Sequence, residues 1–165
     1  MPGPDMSGIA SSGDRYPIGA ENTITFRLTK AKTVPNLYPE SEEFQAFPHV
    51  FATGYVIGLL EWACMRALGT QPQGDTEMTV GAHVDVRHLA PAVPGQEVTA
   101  WARLVAADPP SLLFKVRAFE GDRLLAEGTH ERWVVSRPEF EAFAAQLGCA
   151  EPAPTDPSSG DEDGA

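Results

Sequence analysis

Hydrophobic positions recur with two different periods along the chain. Between Thr53 and Leu68 they follow a helix, with Val56, Ile57, Leu59, Leu60, Ala63, Cys64, Ala67 and Leu68 covering most of its circumference. A helix that is apolar nearly all round is a buried helix. Gly54 and Gly58, four apart, allow another backbone or a ligand to approach one side closely. Gly69 ends the helix. Elsewhere the period is two. Glu21–Lys30 alternates Ile24, Phe26 and Leu28 against Thr23, Thr25 and Arg27, which predicts a half-buried strand. Thr79–His88 alternates strictly: Val80, Ala82, Val84, Val86 and His88 on one face, Gly81, His83, Asp85 and Arg87 on the other. Glu97–Ala107 sets Val98, Ala100, Ala102 and Leu104 opposite Trp101 and Val105. Leu112–Phe119 is a further strand, and Glu120-Gly-Asp turns tightly into the long strand Arg123–Ser136. That last strand carries Gly128, His130 and Arg132 on one side. Pro138–Leu147 predicts a short amphipathic helix with proline at its start.

Between the first strand and the long helix, Thr33–Val50 is irregular and punctuated by Pro35, Pro39 and Pro48. A short helix over Glu40–Ala46 is expected there, with Ser41 as its N-cap. Val34, Leu37, Phe44 and Phe47 place four large apolar groups on this segment. They form either a core plug beside the helix or a hydrophobic lid over a small pocket. The element order is strand, irregular segment, helix, then three or four antiparallel strands joined by short turns. The predicted fold class is α+β: a curved antiparallel sheet wrapped around one long buried helix, the hotdog arrangement. Such a sheet leaves exposed edges, and pairing two protomers edge to edge covers them, so a homodimer is expected.

Length adds that 165 residues form one domain. Its expected limits are 21–148, between a Gly/Pro/Ser-rich leader (1–20) and an acidic tail (149–165), both expected to be disordered. The formal net charge is −11, and the tail holds five acidic and no basic residues. Nucleic-acid binding requires a basic footprint, so it is disfavoured. No apolar run is long enough to span a bilayer. The N-terminus lacks the basic-then-apolar pattern of a secretory signal, so the cytoplasm is expected. The two cysteines, Cys64 and Cys149, make neither a metal spacing nor an expected disulfide. His49, His83 and His130 are too scattered to suggest a metal site, and no cofactor is expected.

Candidate chemistry concentrates on the helix. Glu61 lies mid-way along it, where an unpartnered buried carboxylate is costly. Arg66 is about 140° away around an ideal helix, so Glu61 must find its partner elsewhere. A residue so placed is a candidate for acid–base or nucleophilic work. His88 ends the apolar face of its strand and would look at the helix. Thr53 sits at the first turn, where its hydroxyl could cap free N–H groups.

The segment TVPNLYPESEEFQAFPHVFATGYVIGLLEWACMRAL, together with RHLAPAVPG and GTHERWVV, closely resembles the fluoroacetyl-CoA thioesterase family of hotdog proteins. The resemblance covers roughly Lys32 to Val135. It implies hydrolysis of a short acyl-CoA thioester. It places the family's catalytic threonine, glutamate and histidine on Thr53, Glu61 and His88. The glycine lining the acyl site falls on Gly81, the arginine of the THER motif on Arg132, and the lid on Val34, Leu37, Phe44 and Phe47. The alternatives are a thioesterase acting on another acyl-CoA or on a carrier-protein thioester, a hotdog hydratase, and a non-catalytic acyl-CoA-binding protein. A hydratase typically relies on an Asp/His pair near the helix start, where this chain reads Thr-Gly-Tyr.

Overall fold

A computed structural model describes residues 15–69 and 76–148. Five strands, β1 (Glu21–Arg27), β2 (Glu77–His88), β3 (Glu97–Asp108), β4 (Ser111–Glu120) and β5 (Arg123–Ser136), form one antiparallel sheet. Their order is β1-β3-β4-β5-β2, so β1 and β2 are the two edges. The turn between β4 and β5 is two residues long, and Gly121 supplies the left-handed φ of 56° that it needs. Among the described residues, three α-helices of four residues or more accompany the sheet: α1 (Glu42–Gln45), α2 (Thr53–Leu68) and α3 (Arg137–Gly148). This is the hotdog arrangement that the alternation predicts.

The core is the contact between α2 and the inner face of the sheet. Val56, Leu60, Ala63 and Cys64 meet a surface built from Val98, Ala100, Ala102 and Leu104 of β3 and Leu112, Phe114, Val116 and Ala118 of β4. The alanines of β3 let the helix sit close, and the branched and aromatic side chains fill the flanks. Each fully buried Leu, Val or Phe contributes about 1.5–3 kcal/mol. Burial pushes the Cys64 thiol up to about 12, so it packs as an inert small hydrophobe.

The structure departs from the sequence reading in four places. The helix is not buried all round: Gly54, Gly58, Trp62 and Met65 face outward, with Trp62 44% and Met65 40% exposed. Sheet covers only one side of α2, so apolar residues on its far side stay open. Thr53 is not a cap; Ala52 holds the N-cap position and no side chain caps the helix. The end of the presumed leader folds: Tyr16 is 1% exposed, donates its hydroxyl to Glu77 (3.4 Å), and the Gly19 N–H donates to the Leu104 carbonyl (2.8 Å). The first fourteen residues and the acidic tail lie outside the described residues.

The fourth departure matters most for function. The strict alternation of β2 is broken by a bulge, a register shift between Gly81 and His83 opposite Arg132 and Glu131. An extra residue reverses the side-chain parity. Thr79 and Gly81 therefore share the inner face with Val84, Val86 and His88, whereas uninterrupted alternation would place them on opposite faces.

The irregular segment is pinned to the start of α2. Val34 N–H donates to the Val50 carbonyl (3.0 Å) and the Tyr55 hydroxyl to the Asn36 carbonyl (3.2 Å). Ser41 caps α1, accepting from the Phe44 N–H at 3.3 Å, as its position predicts.

Candidate functional site

The functional side chains gather into two clusters on the inner face of the sheet, one at each half of α2. At the helix N-terminus, the Thr53 hydroxyl and His88 Nδ1 are hydrogen-bonded at 2.9 Å. His88 reaches this position because it is the last residue of β2, which runs antiparallel to α2. Burial lowers its pKa below the ordinary histidine value, opposed by a backbone hydrogen bond at Ala90, and leaves the ring neutral near pH 7. Its Nε2 is buried with no partner. Leu37 roofs this end: its Cδ1 lies 3.2 Å from where a Cβ on Gly54 would stand, so the glycine sets how closely the segment approaches the helix. Val34 and Phe44 are half-buried, with Phe44 stacked on Tyr38 (5.6 Å between centroids), while Phe47 is 57% exposed.

The second cluster surrounds Glu61. Arg132 is 2% exposed, and each of its three guanidinium nitrogens donates a hydrogen bond. Nη1 donates to Glu61 Oε1 (2.7 Å), Nε to the Thr79 hydroxyl (3.0 Å) and Nη2 to the Thr79 carbonyl (2.7 Å). A buried cation needs such compensation, because desolvation costs several kcal/mol per ion. Glu61 is the exposed partner of the pair, with 38% of its side chain accessible. The carboxylate is thus held at one oxygen and open at the other.

Gly81 completes this cluster. A Cβ on it would stand 3.0 Å from Glu61 Oε1 and 3.4 Å from His130 Cε1. Only a residue without a side chain lets the β2 backbone lie directly against the carboxylate. His130 itself is 1% exposed, with Nδ1 lacking any partner. Burial lowers its pKa, with Arg132 acting in the same direction and Glu61 opposing.

The residues singled out from sequence therefore separate. Thr53 and His88 meet each other; Glu61, Gly81 and Arg132 meet each other. Thr53 and Glu61 are eight positions apart on the helix, about 12 Å along its axis. Two members of the second cluster escaped sequence reasoning. Thr79 sits on what uninterrupted alternation makes the polar face, and nothing in the sequence announces the bulge. His130 shares a face with Arg132, and that two-residue spacing was the available signal. Among the described residues, no group of three or more His, Cys, Asp or Glu is placed to hold a metal ion.

Comparison with known proteins joins this geometry to a chemistry. The family described as fluoroacetyl-CoA-specific thioesterase matches residues 28–138. The fluoroacetyl-CoA thioesterase of Streptantibioticus cattleyicolor is 40% identical over 133 residues, spanning 81% of this chain and 95% of that protein. The chain belongs to the fluoroacetyl-CoA-specific thioesterase family. A solved structure of the fluoroacetyl-CoA thioesterase FlK, a variant with fluoro-acetate bound, superposes with a TM-score of 0.75 at 39% identity. It covers 79% of this chain and 97% of its own. A Thermus thermophilus thioesterase superfamily member superposes at 0.70 with 26% identity, covering 80% and 93%. Membership makes the chain a hotdog-fold thioester hydrolase. Among the described residues, no helix is long and apolar enough to cross a membrane.

Proposed function

We propose that the protein hydrolyses a small acyl-CoA thioester, fluoroacetyl-CoA or one of similar size, in the cytoplasm, and that it does so as a homodimer. The observation that carries this reading is the carboxylate of Glu61. It is anchored by a buried arginine at 2.7 Å, left open at its other oxygen, and pressed against the bare backbone of Gly81. In the proposed mechanism, Glu61 attacks the thioester carbonyl or activates the water that does. Arg132 holds Glu61 in place, and Gly81 leaves room for a small acyl group. Free N–H groups at the start of α2 stabilise the developing oxyanion. Thr53 orients the acyl oxygen, and His88, neutral and half-buried, carries the proton toward the departing thiolate. Val34, Leu37, Phe44 and Phe47 form the lid. The net charge of −11 favours a small-molecule substrate over a nucleic acid.

The separation of the two clusters supports the homodimer. No single carbonyl reaches both ends of a stretch of helix about 12 Å long. The middle of β2, residues 81–85, is exposed on both faces and forms a free sheet edge. Antiparallel pairing of two such edges about a two-fold axis sets the carboxyl end of one strand beside the amino end of the other. The Thr53–His88 pair of one protomer then stands next to the Glu61–Arg132–Gly81 cluster of its partner. Each dimer gains two composite sites.

The decisive experiment measures thiol release from fluoroacetyl-, acetyl-, propionyl- and longer acyl-CoA thioesters. A strong preference for fluoroacetyl-CoA is expected. Equal rates across the short chains would keep the chemistry and discard the fluoroacetyl assignment. No release from any would refute hydrolysis of free acyl-CoA and direct the search to a carrier-bound thioester.

A further inference from the structure

The lid segment is a loop whose two ends are tied together. Thr33 and Phe51 form an antiparallel bridge, the Val34 N–H donates to the Val50 carbonyl (3.0 Å), and the Ala52 N–H donates to the Lys32 carbonyl (3.2 Å). Loops closed at the neck in this way are compact and frequently functional. A polar knot lies inside this neck. Thr33 is 0% exposed. Its hydroxyl is within hydrogen-bond distance of the Lys30 carbonyl (2.6 Å), Asn36 Nδ2 (3.1 Å) and His49 Nδ1 (3.0 Å), the last sixteen residues further along the chain. A hydroxyl has one proton and two lone pairs. The carbonyl only accepts, so it takes the proton. Asn36 Nδ2 and His49 Nδ1 then both donate, and His49 carries a proton on Nδ1. Every hydrogen-bonding site of the hydroxyl is filled.

From this knot, contacts run to both arms of the lid and to the helix. The Asn36 carbonyl accepts from the Tyr55 hydroxyl of α2 (3.2 Å), and Leu37, the next residue, lies over Gly54. The Gln45 side-chain amide at the end of α1 donates to the Pro35 carbonyl. That bond fastens the far arm, with Phe44 and Phe47, to the near arm, with Val34 and Leu37. Just beyond the neck, Ala52 is the N-cap of α2 and Thr53 its first residue. Thr33 itself belongs to neither cluster of the site.

We propose that Thr33 is a positioning residue that sets acyl-size specificity: its hydroxyl joins Lys30, Asn36 and His49 across the neck and so holds the lid at one height above the start of α2. The inference rests on the lid of the proposed function. The height of the lid fixes the depth of the acyl pocket, and one methylene in such a pocket separates substrates by about 10–200-fold. That discrimination requires a wall that does not yield. Hydrogen bonds inside the protein are stronger than the same bonds in water, and the burial of Thr33 places the knot there.

The test compares Thr33→Val, which removes the hydroxyl and keeps the branched shape, with Thr33→Ser, which keeps the hydroxyl. Both are made in the full-length protein. Thiol release gives kcat/KM for two pairs of substrates that differ by one carbon, acetyl- with propionyl-CoA and fluoroacetyl- with 2-fluoropropionyl-CoA. The ratio within a pair does not depend on the folded fraction of the preparation, so a merely destabilised variant leaves it unmoved. In Thr33→Val the ratio should shift toward the larger acyl group by about tenfold. Thr33→Ser should keep the wild-type ratio. An unchanged ratio in Thr33→Val, or an equal shift in both variants, would overturn the proposal. So would a wild type that turns over both members of each pair equally, since no size discrimination would exist for the neck to hold. A wild type inactive on all four substrates would instead remove the thioesterase reading, and the specificity role with it. Amide hydrogen exchange gives a second reading, independent of turnover. The Asn36, Leu37 and Phe47 amides, each bonded within the lid, should exchange about three- to tenfold faster in Thr33→Val, the scale of one net hydrogen bond. The amides of Leu60 and Ala63 in α2 should keep their wild-type rates. Equal acceleration in α2 would reveal a general loss of stability and would also overturn the proposal.

Discussion

At the scale of single residues, the site depends on what Gly81 lacks. Ala at this position would bring a methyl carbon to 3.0 Å from Glu61 Oε1, tighter than ordinary contact. The carboxylate can give way by rotating, so Gly81→Ala should fold with a stability change under about 1 kcal/mol. The rotated carboxylate would be misaligned, and kcat/KM should fall about ten- to hundredfold. A melting curve beside a thiol-release assay separates the two effects. His130 sets a second expectation. Its folded pKa lies below the histidine reference of 6.5, so below that pH the unfolded chain binds a proton that the folded chain refuses. The stability it contributes is complete above 6.5 and is lost as the pH falls toward the folded value. His130→Asn should flatten this acid-side decline in unfolding free energy. An unchanged slope would show that the carboxylates alone produce it.

At the scale of elements, the bulge in β2 is the device that builds the site. It lets one strand present Thr79 and Gly81 to Glu61 and Arg132, and still present His88 to Thr53. Inserting one further residue between Gly81 and Ala82 would reverse the parity that the bulge sets and shift one half of the strand to the wrong face. If the His88 end keeps its place, Arg132 loses both bonds to Thr79 and remains buried with Glu61 alone. That should cost about 3–5 kcal/mol, the range for breaking a buried charged network. A fall in the midpoint of denaturant unfolding together with loss of thiol release is the expected outcome. Retention of both would show that the site tolerates the other register. The rigid seat of Arg132 contrasts with the open side of α2, where Trp62 stands 44% exposed with Arg66 over its ring.

At the scale of the whole molecule, the two clusters make complementation the sharpest test of the composite site. Glu61→Gln and His88→Ala should each be inactive alone. Mixed through unfolding and refolding in equal amounts, half of the dimers would carry one of each. One of the two sites in such a dimer is intact, so activity should return to about a quarter of wild type. Absence of any recovery, with heterodimers demonstrated by mass, would mean that each protomer works alone. An acidic residue at Val84, 36% exposed on the free β2 edge, should weaken pairing and lower activity together at low protein concentration.

The periodic elements were legible in the chain before any fold was known. Apolar residues at helical spacing fix α2 from Thr53 to Leu68, and alternation fixes five strands, because burying one face of each is the dominant local term. It also picked out Glu61, since a carboxylate amid aliphatic residues has few inexpensive solutions. Alternation also turned His88 toward the helix; family resemblance then supplied the roles of Thr53, Gly81 and Arg132, which periodicity does not distinguish from a cap, a turn or a surface charge. Which of these touch is settled in the folded molecule alone. That Thr79 faces inward follows from a bulge, a backbone event whose stabilisation comes from Arg132 fifty-three residues later. That the two clusters lie apart follows from the antiparallel course of β2 along α2. That Tyr16 belongs to the core follows from the space left beside Glu77. Each is a contact between residues distant in the chain, and its energy depends on a geometry that exists only once the sheet has closed around the helix.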